Sequence, residues 1–276
     1  MYKMKIFIIT FLLCSAVPCL KAQDSIASKQ NIPFVLGRII ELRSKTLSEK
    51  RVLNIYLPEG YNENDPISYP VIYLLDGSAN EDFIHIVGVV QFLNFPWVNV
   101  VPKSIVVGIA NVDRKRDFTF PTTVLKDKKD FPTTGGSGKF IAFIENELQP
   151  FIEKNYKTNS SKTLIGQSLG GLLATEILFK KPALFNKYII VSPSLWWDNE
   201  SLLSVTPKVT KPVSVYVAVG NEEKIMVNDV NQLVSILKTD LPKSSVIHFQ
   251  YFPHEDHATI LHRAVYDAFE KMKAGK

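Results

Sequence analysis

The period of apolar and polar positions changes repeatedly along the chain, and each change marks an element. Residues 35–47 and 51–58 read as two strands joined by the polar turn Ser48-Glu49-Lys50. In the second, Val52, Asn54 and Tyr56 alternate with Leu53, Ile55 and Leu57, the two-residue period of a strand near a sheet edge. Segments 70–75 and 105–109 are unbroken aliphatic or β-branched runs, which suit strands buried on both faces of a parallel sheet. The period then lengthens. Over 139–154, Phe140, Phe143, Ile144, Leu148 and Phe151 fall near one helical face. A short run at 163–165 leads into an apolar, helix-prone segment, 169–179. Strands at 188–191 and 213–219, a helix at 229–238, a strand at 246–252 and a helix at 258–273 complete the chain.

This order gives about eight strands, the first two antiparallel and the others alternating with helices. Such alternation predicts an α/β fold in which a mainly parallel sheet carries helices on both faces. No internal repeat or second domain interrupts it. Stretches 77–100 and 111–138 read as long irregular connections, of the kind that is usually functional or lid-like.

Composition alters the picture at the N-terminus. Lys3 and Lys5 precede an apolar run over 6–17, and Leu20-Lys21-Ala22 offers a small residue before a cut. Residues 1–22 therefore read as a secretory signal peptide, with 23–276 as one exported domain, periplasmic or extracellular. The apolar run is shorter than the ~20 residues a bilayer helix needs. Both cysteines, Cys14 and Cys19, lie in this leader, so the mature chain is expected to lack disulfides and thiol chemistry. The leader also carries three lysines and no acid, so its removal lowers the net charge from +5 to +2. No basic stripe with interleaved aromatics points to nucleic acid. Two histidines flank two acids in His254-Glu255-Asp256-His257, but the pattern is a weak metal signal, and no metal or cofactor is expected.

The chemistry lies in Gly166-Gln167-Ser168-Leu169-Gly170. A strand before it and an apolar helix after it make the strand–turn–helix setting in which a serine projects its hydroxyl above a sheet. Ser168 is the candidate nucleophile. A serine hydroxyl needs a base to take its proton. Of His85, His248, His254, His257 and His262, only His254 and His257 fall in the loop between the last strand and the last helix. His257, directly before the helix, fits best. An acid to orient it should follow the strand at 213–219, where Glu222, Glu223 and Asp229 stand. Glu223 is preferred, with Glu222 left open. The oxyanion needs two backbone N–H donors. Leu169 should supply one. Gly77, or Ser78 next to it, should supply the other.

These residues also carry a likeness. Tyr73-Leu74-Leu75-Asp76-Gly77, Val106-Val107-Gly108-Ile109 with Arg116-Asp117-Phe118-Thr119, the helix over 140–156, Gly166–Gly171 and Ser192-Pro193-Ser194-Leu195-Trp196-Trp197 together resemble the esterase-D-like family of α/β-hydrolases, especially its enterochelin-esterase-like branch. The resemblance implies the α/β-hydrolase fold and carboxylic ester hydrolysis by Ser168 and His257. Gly220-Asn221-Glu222-Glu223 matches the family's place for the acid, which favours Glu223. Trp196 and Trp197, after a strand's C-terminal end, are candidates for an aromatic substrate wall. Arg116 is a candidate for binding an anionic group or for holding the long loop. The partner is then a small-molecule or polysaccharide-linked ester. Acyl transfer on the same site and a non-catalytic binding role are the alternatives.

Overall fold

The computed structural model describes residues 31–274, so the expected leader lies outside the described residues. Of the described residues, those from Leu36 onward form one compact unit that carries the fold. Its sheet has eight strands: β1 (Arg38–Ser44), β2 (Glu49–Tyr56), β3 (Tyr69–Leu74), β4 (Ile105–Ile109), β5 (Thr158–Gln167), β6 (Lys187–Val191), β7 (Ser214–Gly220) and β8 (Val246–Phe252). Their spatial order is β1-β2-β4-β3-β5-β6-β7-β8. β2 is antiparallel to both β1 and β4, and the rest run parallel.

Alternate residues of each central strand feed two separate cores. Val215, Val217 and Val219 of β7 enter one, and Tyr216 and Ala218 enter the other. This is why the middle strands read as continuous apolar runs: neither face meets water. On the first face pack α4 (Ser137–Phe143), α5 (Gln149–Asn155), α6 (Leu169–Lys180) and α8 (Lys224–Asp240). On the second pack α1 (Phe83–Asn94) and α9 (Ile260–Ala274). A wide turn over Ile144–Leu148 joins α4 to α5, as expected of one amphipathic segment.

Two expectations change. The stretch 77–100 is not irregular, because it contains α1. Its outward positions Ile84, His85, Gly88, Gln91 and Phe92 carry no acid or lysine, so no polar face announces the helix in the sequence. The stretch 111–138 contains the short helices α2 (Arg114–Phe118) and α3 (Leu125–Asp130), and it is stitched down rather than loose. Gly136 N–H donates to Arg116 O at 2.9 Å and Ser137 N–H to Thr119 O at 3.1 Å. Thr123 donates to Asp198 through both its backbone N–H (2.6 Å) and its hydroxyl (2.9 Å). Asp198 lies in α7 (Trp197–Glu200), an irregular turn in which Asp198, Asn199 and Glu200 all have left-handed φ.

Candidate active site

The strands deliver their C-terminal ends to one edge, and three neighbours end alike. Asp76 after β3, Ser168 after β5 and Ser192 after β6 have φ of 54°, 59° and 41°. Non-glycine residues avoid this region, and such strain collects at functional sites. At Ser168 the turn is made possible by Gly166, where a Cβ would run into the Gly170 carbonyl. Ser168 N–H donates to Val191 O at 3.0 Å, and Ser168 O accepts from Leu172 N–H (2.9 Å) and Ser194 N–H (3.0 Å). The Ser168 hydroxyl lies 3.3 Å from Ser194 Oγ. Leu169 opens α6, so its N–H has no acceptor within the helix and is available to an oxyanion. The helix N-terminus also favours negative charge there.

His257 carries an acid, and it is Glu222. His257 Nδ1 lies 2.6 Å from Glu222 Oε2. This corrects the preference for Glu223. Glu222 N–H donates to Gly220 O at 3.0 Å in a tight turn after β7, while Glu223 is the exposed residue from which α8 starts. Glu222 Oε1 accepts from the Ser192 hydroxyl and from Gly220 N–H (3.3 Å). Burial alone would raise its pKa, but the hydrogen bonds from His257 and Ser192, the imidazole's charge and the Gly220 N–H hold the carboxyl below its ordinary 4.5. It is therefore a carboxylate at neutral pH, facing an Nδ1 that must carry the proton to donate. That tautomer leaves Nε2 as the acceptor a serine needs. The imidazole side chain is 46% exposed and the Glu222 side chain only 5%. His254 is not the ring that Glu222 holds. His85 and His262 pair with each other, ring centroids 3.9 Å apart, and His248 sits within β8.

Four other expectations are corrected or divided. Gly77 N–H donates to Ile109 O at 3.0 Å and is spent on the sheet, so it is not an oxyanion donor. The neighbouring Ser78 N–H points instead to an exposed carboxylate, Glu81 Oε2, at 3.2 Å. Arg116 is locked. It grips Glu49 through Nη1 (3.0 Å) and Nη2 (2.7 Å) and Asp117 through Nε (2.7 Å). The fully buried Arg51 completes this network through Asp117 (2.7 Å) and Glu49 (2.8 Å). Bidentate pairs of this kind leave no donor fork for a substrate. Trp197 is fully buried, with its indole N–H donating to Phe120 O at 2.9 Å, so it is core rather than pocket wall. Trp196 is only partly buried, against Phe131 at 6.1 Å.

Arg114, which the sequence gave no reason to prefer, is the arginine that meets the nucleophile strand. Its Nε and Nη2 bind Asp76 at 2.7 and 2.9 Å, and Nη2 also reaches Gln167 O at 3.3 Å. Asn111 Nδ2 adds a second donor to Asp76 at 2.6 Å. The helical spacing of Arg114 from Arg116 puts them on different sides of α2, a signal legible only once α2 is recognised.

A strained serine after β5, an acid after β7 and a histidine after β8 follow the Ser…acid…His order of the α/β-hydrolases. The Esterase family model matches residues 44–260, which span nearly all of this unit. The chain belongs to the Esterase family. It is an ester hydrolase of the serine-hydrolase type on the α/β-hydrolase fold. Among its relatives, ferri-bacillibactin esterase BesA of Bacillus subtilis is 34% identical over 198 residues, 64% of this chain and 68% of that protein. An IroE-like serine hydrolase from Shewanella oneidensis superposes with a TM-score of 0.76 at 31% identity, covering 86% of this chain and 80% of its own. The BES protein from Bacillus cereus gives 0.77 at 29%, covering 90% and 98%.

Proposed function

We propose that this esterase works through an acyl-serine intermediate, with Ser168 as nucleophile, His257 as general base and Glu222 as the acid that orients it. The observation that carries the reading is the Glu222–His257 contact at 2.6 Å, on a loop tied through the His257 carbonyl to Gln167, the residue before Ser168. His257 Nε2 takes the Ser168 proton as Oγ attacks the ester carbonyl. Leu169 N–H, with Ser78 N–H once Glu81 swings away, stabilises the oxyanion. The imidazolium then gives its proton to the leaving alkoxide. Water, deprotonated by the same ring, releases the acid and frees Ser168.

The substrate is an ester-linked siderophore. The similarity to the ferri-bacillibactin esterase, 34% identical over 198 residues, supports this. Iron belongs to that substrate and not to the protein. The lysine-flanked apolar run at the N-terminus supports export, so the ester would be met outside the cytoplasm.

The test is turnover of p-nitrophenyl acetate and butyrate beside a trilactone siderophore, feruloyl esters and acetylated xylan, with Ser168→Ala as control. The expected result is highest kcat/KM for the trilactone, labelling of the parent by a fluorophosphonate and neither in the variant. Equal turnover by Ser168→Ala would end the serine reading. A higher kcat/KM for feruloyl or xylan esters would end the siderophore assignment alone.

A further inference from the structure

The second position of Gly-Gln-Ser-Leu-Gly, Gln167, lies directly before Ser168. Here it bonds in two directions. Gln167 is the last residue of β5. Its side-chain Nε2 donates to the main-chain carbonyl of His257, and its own carbonyl accepts from Arg114 Nη2 at 3.3 Å. We infer that Gln167 is a positioning residue whose amide fixes the main chain of the base loop against the nucleophile strand. The inference rests on the Ser168–His257–Glu222 reading given above.

The sheet explains why such a strut is needed. His257 arrives on the loop after β8, and β8 is the third strand from β5 in the order β5-β6-β7-β8. At ~4.8 Å per strand the loop must reach back roughly 14 Å. Most of its hydrogen bonds do not cross that distance. Asp256 Oδ1 accepts from Ala258 N–H (2.9 Å) and Thr259 N–H (3.1 Å), which shapes the loop internally. Asn221 N–H donates to Glu255 O at 2.7 Å, and Glu222 holds the imidazole, but both come from the end of β7. The Gln167 amide is the contact that joins the loop to the strand bearing the nucleophile. Packing offers little help, because the imidazole is nearly half exposed.

The two polar contacts on His257 therefore do different work. Glu222 sets the tautomer and the ring's rotation. Gln167 sets how far the residue's main chain stands from Ser168. Losing the first changes the chemistry of the base. Losing the second leaves the chemistry intact and the geometry loose. A misplacement of about 1 Å costs on the order of 100-fold in rate.

Gln167→Met keeps the length and removes the donor. Gln167→Glu keeps the length and sets an acceptor against a carbonyl. The expected results on p-nitrophenyl butyrate are a kcat lower by roughly 10- to 100-fold for Met and lower still for Glu. KM should stay within about two-fold, since Gln167 bonds the loop that carries His257 and not the substrate. The acid limb of the pH profile should not move, because Glu222 still holds the ring, and the melting temperature should stay near the parent's. A Met variant as active as the parent would show that Gln167 only fills space, and a loss carried by KM would make it a substrate contact. Either result overturns the inference while leaving the serine reading intact, provided Ser168→Ala is dead in the same assay. An active Ser168→Ala would remove both.

Discussion

Ser168 is held by main chain. Its N–H and carbonyl bond to Val191, Ser194 and Leu172, and Gly166, two residues before it, has no room for a side chain. His257 is held by side chains. It stands in an exposed loop, and the groups that fix it are the Glu222 carboxylate and the Gln167 amide. The difference teaches where this enzyme is robust. Backbone bonds in a buried turn survive most substitutions nearby, whereas a base on an overhanging loop depends on each contact it makes.

Substitutions can sharpen or break this contrast. The largest effect is expected for His257→Ala, with kcat for p-nitrophenyl butyrate lower by about 10⁶-fold, as for the base of a fully coupled triad. Parent-like turnover would move the base to His254. Next comes Glu222→Ala, expected to lower kcat by about 10⁴-fold, against less than about two-fold for Glu223→Ala. The reverse ranking in the same assay would restore the acid expected from the sequence. Ser192→Ala removes one hydrogen bond to Glu222 and should cost roughly ten-fold in kcat, a value of about 1.4 kcal/mol. An unchanged kcat would mean that the base side is less dependent on its supports than the geometry implies.

The smallest effect is a pH dependence. Folding holds the Glu222 carboxyl below 4.5, so its contribution to stability is present above that pH and is lost as the pH falls through the folded value. Melting curves of the parent and Glu222→Gln should therefore differ most at neutral pH and converge in acid, once the pH has fallen through the lowered folded-state pKa. A gap that widens in acid would contradict the depressed carboxyl.

The contrast also explains what the sequence could tell. The sheet was legible because strands buried on both faces leave unbroken runs such as Ile105–Ile109. The Ser168 turn and the His257 loop of the proposed site were legible because a tight strand–turn–helix demands small residues at fixed spacing, and the last loop offers few histidines. The acid was not. Glu222 and Glu223 are adjacent, and the choice depends on how the chain turns between Gly220 and α8, which neither residue type encodes. Gly77 looked free because a pattern cannot show that its N–H is already used by Ile109. Trp197 looked like a pocket wall because aromaticity near a site does not reveal burial, and for Arg116 the loop-holding alternative is the one that the ion pairs bear out. Glu49, which with the neighbouring Asp117 immobilises Arg116, lies 67 residues before it in the sequence.

The left-handed backbones of Asp76, Ser168 and Ser192 set catalysis against thermal endurance. Each such residue costs of order 1–3 kcal/mol. A whole domain is stable by only about 5–15 kcal/mol. Selection for heat resistance alone would favour glycine at these three strand ends and would dissolve the enzyme in doing so. Part of the stability that a working version of this chain gives up is therefore lost at the edge of the sheet that carries the proposed site.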